Sequence, residues 1–403
     1  MGRKILMLLN EPYPTDIRVL KESRSLLEAE FEITLCCLAR KDEKLEEEVG
    51  GVRVLRLKGS ESTAKKGLLD MYLSMTRINP LFSRFLKNLF SKETFDFVHV
   101  HDLPLFFTAR SVSPVPVFLD LHENYPDALS VWFKWRKNPL IRLKNRMFFN
   151  YPHWQKFEQD AVKEADHVIA VVDEMKERLL DQTGLESDKI TVVSNMEDRY
   201  FLEQEVDPQV FEKYKGRFIV SYTGNVGPHR GVDTLVKSMA FLKDHEDIVV
   251  LIIGNCSDDT RSYLESLVEE NGLQGRVELW GYRPFHQFYS FMNMSDVNII
   301  PHNKSGHTDH TIPHKLFQAM MVGKPVIVSS CKPLKRTVEL SKAGLVFEAE
   351  NAEDLSKQIL RLYQETELYK ELGVNAKKAT IDGDMNWENE GRKLVELYSH
   401  FSN

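Results

Sequence analysis

Phe218-Ile219-Val220-Ser221-Tyr222-Thr223-Gly224-Asn225-Val226-Gly227-Pro228-His229-Arg230-Gly231 is the stretch that decides how this chain folds. A short run of β-branched and aromatic residues meets a glycine turn, and Val232-Asp233 then opens a helical pattern. A strand apolar on both faces and followed at once by a helix is the building unit of parallel sheets buried between helix layers. Downstream the alternation continues through strands expected at 249–254, 277–281, 297–302, 325–330 and 344–348. Upstream an earlier series runs through 4–9, 32–38, 52–57, 97–102, 115–122, 167–172 and 190–195, with amphipathic helices over 18–30 and 173–182. Two such series predict an α/β protein of two doubly wound, Rossmann-like domains.

The length of 403 residues agrees with two domains rather than one core. The charged stretch 203–217, which contains Pro208, is the expected boundary. The domains are therefore drawn as 1–202 and 203–385, with a closing helix in 386–403 that packs back toward the first domain. With 53 Lys and Arg against 60 Asp and Glu, the net charge of −7 argues against a general nucleic-acid surface. No apolar run reaches the length of a membrane span, and Asn10-Glu11 interrupts the N-terminal apolar run too early for a signal peptide. Cys36, Cys37, Cys256 and Cys331 have neither metal-ligand nor disulfide spacing. The expectation is a cytoplasmic protein without a metal.

Ligands of doubly wound sheets bind beyond the carboxyl ends of the strands, so the residues after each strand matter most. Gly224 and its neighbours permit close backbone approach, Asn225 follows, and Arg230 adds a positive fork suited to phosphate. The plainer reading is an ordinary strand–turn–helix corner, and the glycines do not have dinucleotide spacing. A second segment, Gly306-His307-Thr308-Asp309-His310-Thr311-Ile312-Pro313-His314-Lys315-Leu316-Phe317-Gln318, raises the odds of an anion site. Pro313 suits a first helical turn, Thr311 and Ile312 would offer amides at its positive end, and Lys315 and Gln318 would share a face. Its plainer reading is a capped surface helix. In the first half His101-Asp102 and Asp120-Leu121-His122-Glu123 close strands, and Asp16 and Arg18 sit in a proline-shaped turn at the same edge. A histidine there can orient a hydroxyl or take its proton, or can simply be a hydrogen-bonded loop residue; Asp16 and Arg18 could hold a polar acceptor or cap the next helix.

Residues 128–157 hold eight aromatics and seven Lys or Arg without one acid. That mixture suits an anionic membrane interface, with 74–90 adding to the same surface. The alternative is aromatic core beneath solvated basic side chains.

In their order these motifs resemble the retaining glycosyltransferases of family 4, with the GT-B fold of two Rossmann-like domains facing a cleft. The residues that carry the likeness are Tyr13-Pro14-Thr15-Asp16-Ile17-Arg18-Val19, Val98-His99-Val100-His101-Asp102, Asp120-Leu121-His122-Glu123, Ser194-Asn195-Met196-Glu197-Asp198, Gly224 to Gly231, and Thr311-Ile312-Pro313-His314-Lys315-Leu316-Phe317-Gln318 leading to Gly323-Lys324-Pro325-Val326. The branch they resemble makes surface polysaccharides or glycolipids. The resemblance implies a nucleotide-diphosphate sugar bound by the second domain and transferred, with retention and without a metal cofactor, to a saccharide or lipid-linked acceptor on the first. It implies donor contacts at Gly224, Asn225, Arg230, Gly254, Tyr282, His310, Thr311, Ile312, Lys315 and Gln318. It also implies His122 as the active-site histidine, and acceptor contacts at Asp16, Arg18 and His101. The chain departs from the family at His310 and Gln318, where two glutamates are common, and at Asn225, where a basic residue often stands. A sugar-nucleotide epimerase of the same fold, or a non-catalytic relative, are the competing readings.

Overall fold

The computed structural model describes residues 2–60, 62–134 and 139–401. The chain divides into two compact units, 1–194 with 390–403, and 195–389.

In the first unit the strands are β1 (Lys4–Leu8), β2 (Glu32–Leu38), β3 (Glu46–Val49), β4 (Val52–Leu57), β5 (Phe97–His101), β6 (Val117–Leu121), β7 (His167–Ala170) and β8 (Ile190–Val192). Their order is β3-β4-β2-β1-β5-β6-β7-β8, parallel except for the β3–β4 hairpin. Ile5, Leu6, Met7 and Leu8 are all buried, because helices cover both faces of β1. Strand order reverses between β1 and β5, which opens a crevice at their carboxyl ends. The hairpin strand β3 is missing from the sequence reading. Its residues Glu46-Glu47-Glu48-Val49 read as a charge run, and their exposed edge position tolerates it. The Gly50-Gly51 pair after it, both at positive φ, was the available hairpin signal.

The second unit carries β9 (Phe218–Thr223), β10 (Ile248–Ile253), β11 (Val277–Gly281), β12 (Val297–Ile300), β13 (Val326–Ser329) and β14 (Gly344–Phe347). Their order is β11-β10-β9-β12-β13-β14, all parallel, with the reversal between β9 and β12. Beneath it Val220, Tyr222, Val250, Ile252 and Ile299 join Leu235, Val236 and Ile359 in one core.

The boundary lies at Ser194/Asn195, not at 202. The segment after Ser194 is held by the second unit. Asn195 Nδ2 donates to Ile312 O at 3.3 Å, Glu197 Oε2 accepts from Gln318 Nε2 at 2.6 Å, and Glu197 O accepts from Trp387 N at 2.8 Å. The last helix spans Trp387–His400. Its later turns belong to the first unit, where the buried Tyr398 ring meets Phe97 at 5.3 Å and Phe118 at 5.1 Å.

Candidate functional site

In the second unit the switch point gathers two cations. Lys315 lies in the helix His314–Met321 and holds its Nζ 3.7 Å from the centroid of the buried Tyr222 ring at the end of β9. That is a close cation–π contact. Tyr222 OH donates to Asn225 O at 2.6 Å, fixing the turn above the ring. Gly224 has φ of 125°, and a Cβ there would sit 3.5 Å from Lys315 Nζ. Gly254, at φ of 154°, ends β10 so close by that a Cβ would fall 1.7 Å from Gly224 O. Arg230 Nη1 donates to His302 Nε2 at 3.2 Å, just beyond β12.

The electrostatics of this corner are one-sided. Burial, then the Arg230 guanidinium, pushes the Lys315 ammonium well below its ordinary pKa. Burial and the two cations also hold His302 well below the imidazole range and bring His229 to about 4. His307, buried beside Arg230, falls to about 3. Among the described residues no carboxylate lies within ion-pair distance of Lys315 or Arg230. Cations buried more deeply are paired: Arg18 with Asp120 at 2.7 Å and Arg178 with Glu158 at 2.6 Å. An unpaired buried cation is costly unless an anion joins it.

The other expected donor residues are distributed unevenly. Thr311 and Ile312 lead into the helix, with Pro313 at its N-cap rather than inside its first turn. Asn225 is exposed in the Gly224 turn. His310 is tied back by Nδ1 to Gly306 O at 2.6 Å. Tyr282 stands apart, 69% exposed just after β11. Gln318 does not share an open face with Lys315. Everything from Leu316 to Met321 is buried, so the amide turns inward and meets Glu197. Glu197 and Tyr222, quoted in the sequence only as parts of longer motifs, and His302 are partners to which the sequence reading assigns no site role.

In the first unit the carboxyl ends of β1, β5 and β6 assemble a buried histidine–carboxylate cluster. His122 shares its Nε2 hydrogen with Asp120 Oδ2 at 2.8 Å, and its Nδ1 lies 3.6 Å from both Asp16 and Asp102. Burial works against the imidazolium, but Asp102 and Asp120 outweigh it and hold His122 well above its ordinary pKa. Asp102 supports the ring from a costly backbone, φ 61° and ψ 164°, pinned by Asp102 N to Asp120 O at 2.8 Å and by His122 N to Asp102 Oδ1 at 3.1 Å. Such geometry costs about 1–3 kcal/mol and concentrates at functional positions. Asp16 caps the helix Ile17–Glu28, accepting from Arg18 N and Val19 N, and the His122 charge keeps it ionised against the effect of burial.

Arg18 and His101, expected as acceptor contacts, are 2% and 1% exposed. Arg18 faces inward because Asp120 and the Val193 carbonyl take its guanidinium at 2.7 and 2.8 Å, so it organises the cluster from behind. His101 is enclosed beneath His122, and burial beside His99 lowers its pKa to about 3. His122, with a side chain 11% exposed, and Asp16, at 33%, remain reachable.

Comparison with known proteins agrees with both halves of the fold. Residues 17–198 match the model of Glycosyltransferase Family 4, and residues 203–379 that of Glycosyl transferases group 1. Two uncharacterised glycosyltransferases of Methanocaldococcus jannaschii are 23% identical over 60% of each chain and 27% identical over 78% of each. The similarity to the first of these therefore spans about 60% of that relative's length. The N,N'-diacetylbacillosaminyl-diphospho-undecaprenol alpha-1,3-N-acetylgalactosaminyltransferase of Campylobacter jejuni is 27% identical over 39% of each chain. Among solved structures, a sucrose-phosphate synthase of Thermosynechococcus elongatus superposes with a TM-score of 0.78 at 17% identity, covering 99% of both chains. An Anabaena protein, HepE, in complex with UDP and glucose, gives 0.71 at 15% identity, covering 99% of this chain and 100% of its own. These structural likenesses establish the fold, GT-B.

Proposed function

The chain belongs to the glycosyltransferases, family 4 in its first half and group 1 in its second, and on that premise we propose that it transfers a sugar from a nucleotide-diphosphate donor, with retention at the anomeric carbon, to a saccharide or lipid-linked saccharide. We place that transfer in surface polysaccharide or glycolipid synthesis. The observation that carries the reading is the half-buried, carboxylate-free pair Lys315 and Arg230 at the switch point of the second sheet. The names of relatives point the same way, toward a diphospho-undecaprenol-linked acceptor in one and UDP with glucose in another.

As the bond from the anomeric carbon to the diphosphate oxygen breaks and the acceptor hydroxyl oxygen, giving up its proton to the leaving diphosphate, bonds to that carbon, negative charge grows on the departing diphosphate. Lys315 and Arg230, with the amides of Thr311 and Ile312, stabilise that charge without a metal ion. Each charge-assisted contact is worth roughly 1.5–3 kcal/mol. Gly224 and Gly254 let the phosphates approach the backbone, Asn225 and His310 border the sugar, and Tyr282 borders the nucleobase. His122, backed by Asp102 and Asp120 and next to Asp16, orients the sugar and acceptor hydroxyls.

Membrane attachment completes the proposal. Trp154 and Phe157 are core, at 1% and 0% exposure, and so are Phe82, Leu86 and Leu89 of the helix Pro80–Phe90, which had been expected at the surface. The exposed apolar residues are instead Leu68, Tyr72 and Met75 of the helix Thr63–Thr76, Trp132, and Leu143 and Met147 of the helix Pro139–Phe148. The first and last of these helices touch, since Ser74 Oγ donates to Phe148 O and a Cβ on Gly67 would lie 3.8 Å from Lys144 Nζ. Trp135, Arg136 and Lys137 lie outside the described residues. Such apolar helix faces with lysines beside them fit an anionic lipid surface, at the cytoplasmic side in this reading. No helix among the described residues is long and apolar enough to cross a membrane.

The test is calorimetric titration with nucleoside diphosphates followed by product analysis with nucleotide sugars. Arg230→Ala should weaken diphosphate binding at least about tenfold in a folded protein, and the product should keep the donor's anomeric configuration by NMR. Unchanged affinity in the variant refutes the diphosphate assignment, and an inverted product refutes retention.

A further inference from the structure

Beneath His122 four side chains converge from distant parts of the chain. Glu22 comes from the helix Ile17–Glu28, His99 and His101 from β5, and Asp120 from β6. All are at most 1% exposed. His99 Nε2 lies 3.5 Å from Glu22 Oε2 and 3.5 Å from Asp120 Oδ2. His101 Nδ1 lies 3.8 Å from the first oxygen and 3.4 Å from the second. These distances are too long for good hydrogen bonds. The four ligand atoms all lie within 4.8 Å of one another, and the four nitrogen–oxygen distances approach those of a bound ion, since bonds of about 2.0–2.2 Å put neighbouring tetrahedral ligand atoms roughly 3.3–3.6 Å apart.

From this geometry we infer that Glu22, His99, His101 and Asp120 form a structural divalent-metal site, with the nitrogen and oxygen donor set that zinc takes. A second observation supports it. His99 Nε2 and Glu22 Oε2 are fully buried and have no hydrogen-bond partner, although they point at one another's neighbours. The surroundings orient His99 as metal sites require. Tyr398 OH meets His99 Nδ1 at 2.6 Å, so the Nδ1–H can donate there and leave the Nε2 lone pair inward. His122 Nε2 lies 2.8 Å from Asp120 Oδ2 and 3.2 Å from His101 Nδ1, and its one hydrogen directed at the nearer carboxylate leaves the His101 Nδ1 lone pair for the ion. Arg18 Nε reaches Glu22 through Oε1, at 2.9 Å, and Oε2 is the oxygen nearer the two histidines. Glu22 and Asp120 share the charge of Arg18, the His122 imidazolium lies against Asp120, and an ion adds positive charge on the Glu22 side of the cluster. With four protein ligands and no exposed position the ion has no place for substrate. It holds β5, β6 and the first helix under His122 and takes no part in donor binding; it shares Asp120 with His122, but its test reads metal content and not sugar transfer.

The experiment uses the full untagged chain, produced with Zn2+ in the medium and purified without chelators. Mass-spectrometric metal analysis after gel filtration should find about one zinc per chain in the wild type and under about a tenth in Glu22→Gln and His99→Gln. Zn2+ added to chelator-stripped wild type should raise its Tm and leave that of His99→Gln unmoved. If either variant fails to fold, Co2+ in the stripped wild type is decisive, because four-coordinate cobalt gives intense visible bands. A folded wild type that keeps less than about a tenth of an ion, a folded variant that keeps as much as the wild type, or cobalt without those bands would overturn the site. A proton shared by Glu22 and Asp120 is then what fills the gap.

Discussion

Lys315 offers the sharpest test of the donor site. Its ammonium is buried over the Tyr222 ring, and burial and Arg230 hold its pKa well below the ordinary 10.5. A diphosphate between the two cations reverses that balance and raises the pKa again. The complex then binds more protons than the free protein, so association takes up as much as one proton. Affinity therefore rises as pH falls through the window between the depressed free value and the higher bound value, by at most about tenfold per pH unit, or 1.36 kcal/mol. Below the free value Lys315 is charged in both states and the dependence ends. Above about pH 8 a terminal phosphate is fully ionised, and His229 and His307, at about 4 and 3, stay neutral. A proton taken up there goes to Lys315. Calorimetry with a nucleoside diphosphate in two buffers of widely different ionisation enthalpy reads the uptake directly. Lys315→Met, which keeps the stem over the ring, should abolish it and weaken binding by about 1.5–3 kcal/mol, roughly ten- to a hundredfold. Equal binding enthalpies in the two buffers at every pH above 8 would refute the reasoning.

Three further outcomes follow from other parts of the molecule. Gly254→Ala should lower Tm and diphosphate affinity together, because its Cβ would fall 1.7 Å from Gly224 O; scanning calorimetry and titration read both, and an unshifted Tm would show that the turn yields freely. His122→Asn should cut kcat by about a hundred- to ten-thousandfold while donor affinity stays near wild type, measured by steady-state kinetics beside titration. Equal losses in both would move His122 to donor binding. Replacing Leu68, Met75, Leu143 and Met147 by Ser should release the protein from anionic liposomes in co-sedimentation, and wild type that never sediments at low salt would reassign these residues to plain surface.

The alternation of apolar strands and helices made both sheets legible, because a strand buried on both faces shows itself locally. The placement of Gly224, Arg230 and Lys315 was legible for a related reason, since each follows a strand whose end the topology turns into a crevice; their role in donor binding is the proposal. Residues whose roles depend on distant partners were not. Arg18 reads as a polar loop-edge residue until Asp120, 102 positions away, neutralises it in the interior. Gln318 sits three residues from Lys315 and was expected beside it, yet Glu197 draws it inward across 121 positions. The cysteines, which carried the expectation of no metal, say nothing about Glu22, His99, His101 and Asp120, whose convergence exists only in three dimensions.

The first unit is discontinuous: its core includes Tyr398, packed on Phe97 and Phe118 and hydrogen-bonded to His99, while 195–389 belong to the other unit. On the ribosome the strands of the first sheet emerge early, but the ring that seals its underside is made only after all of the second unit has been translated. The nascent first half must therefore wait with Phe97, Phe118 and His99 uncovered, a hazard that invites chaperone attention and sets an order of events. The second unit is contiguous and can close first; the older half of the chain matures last.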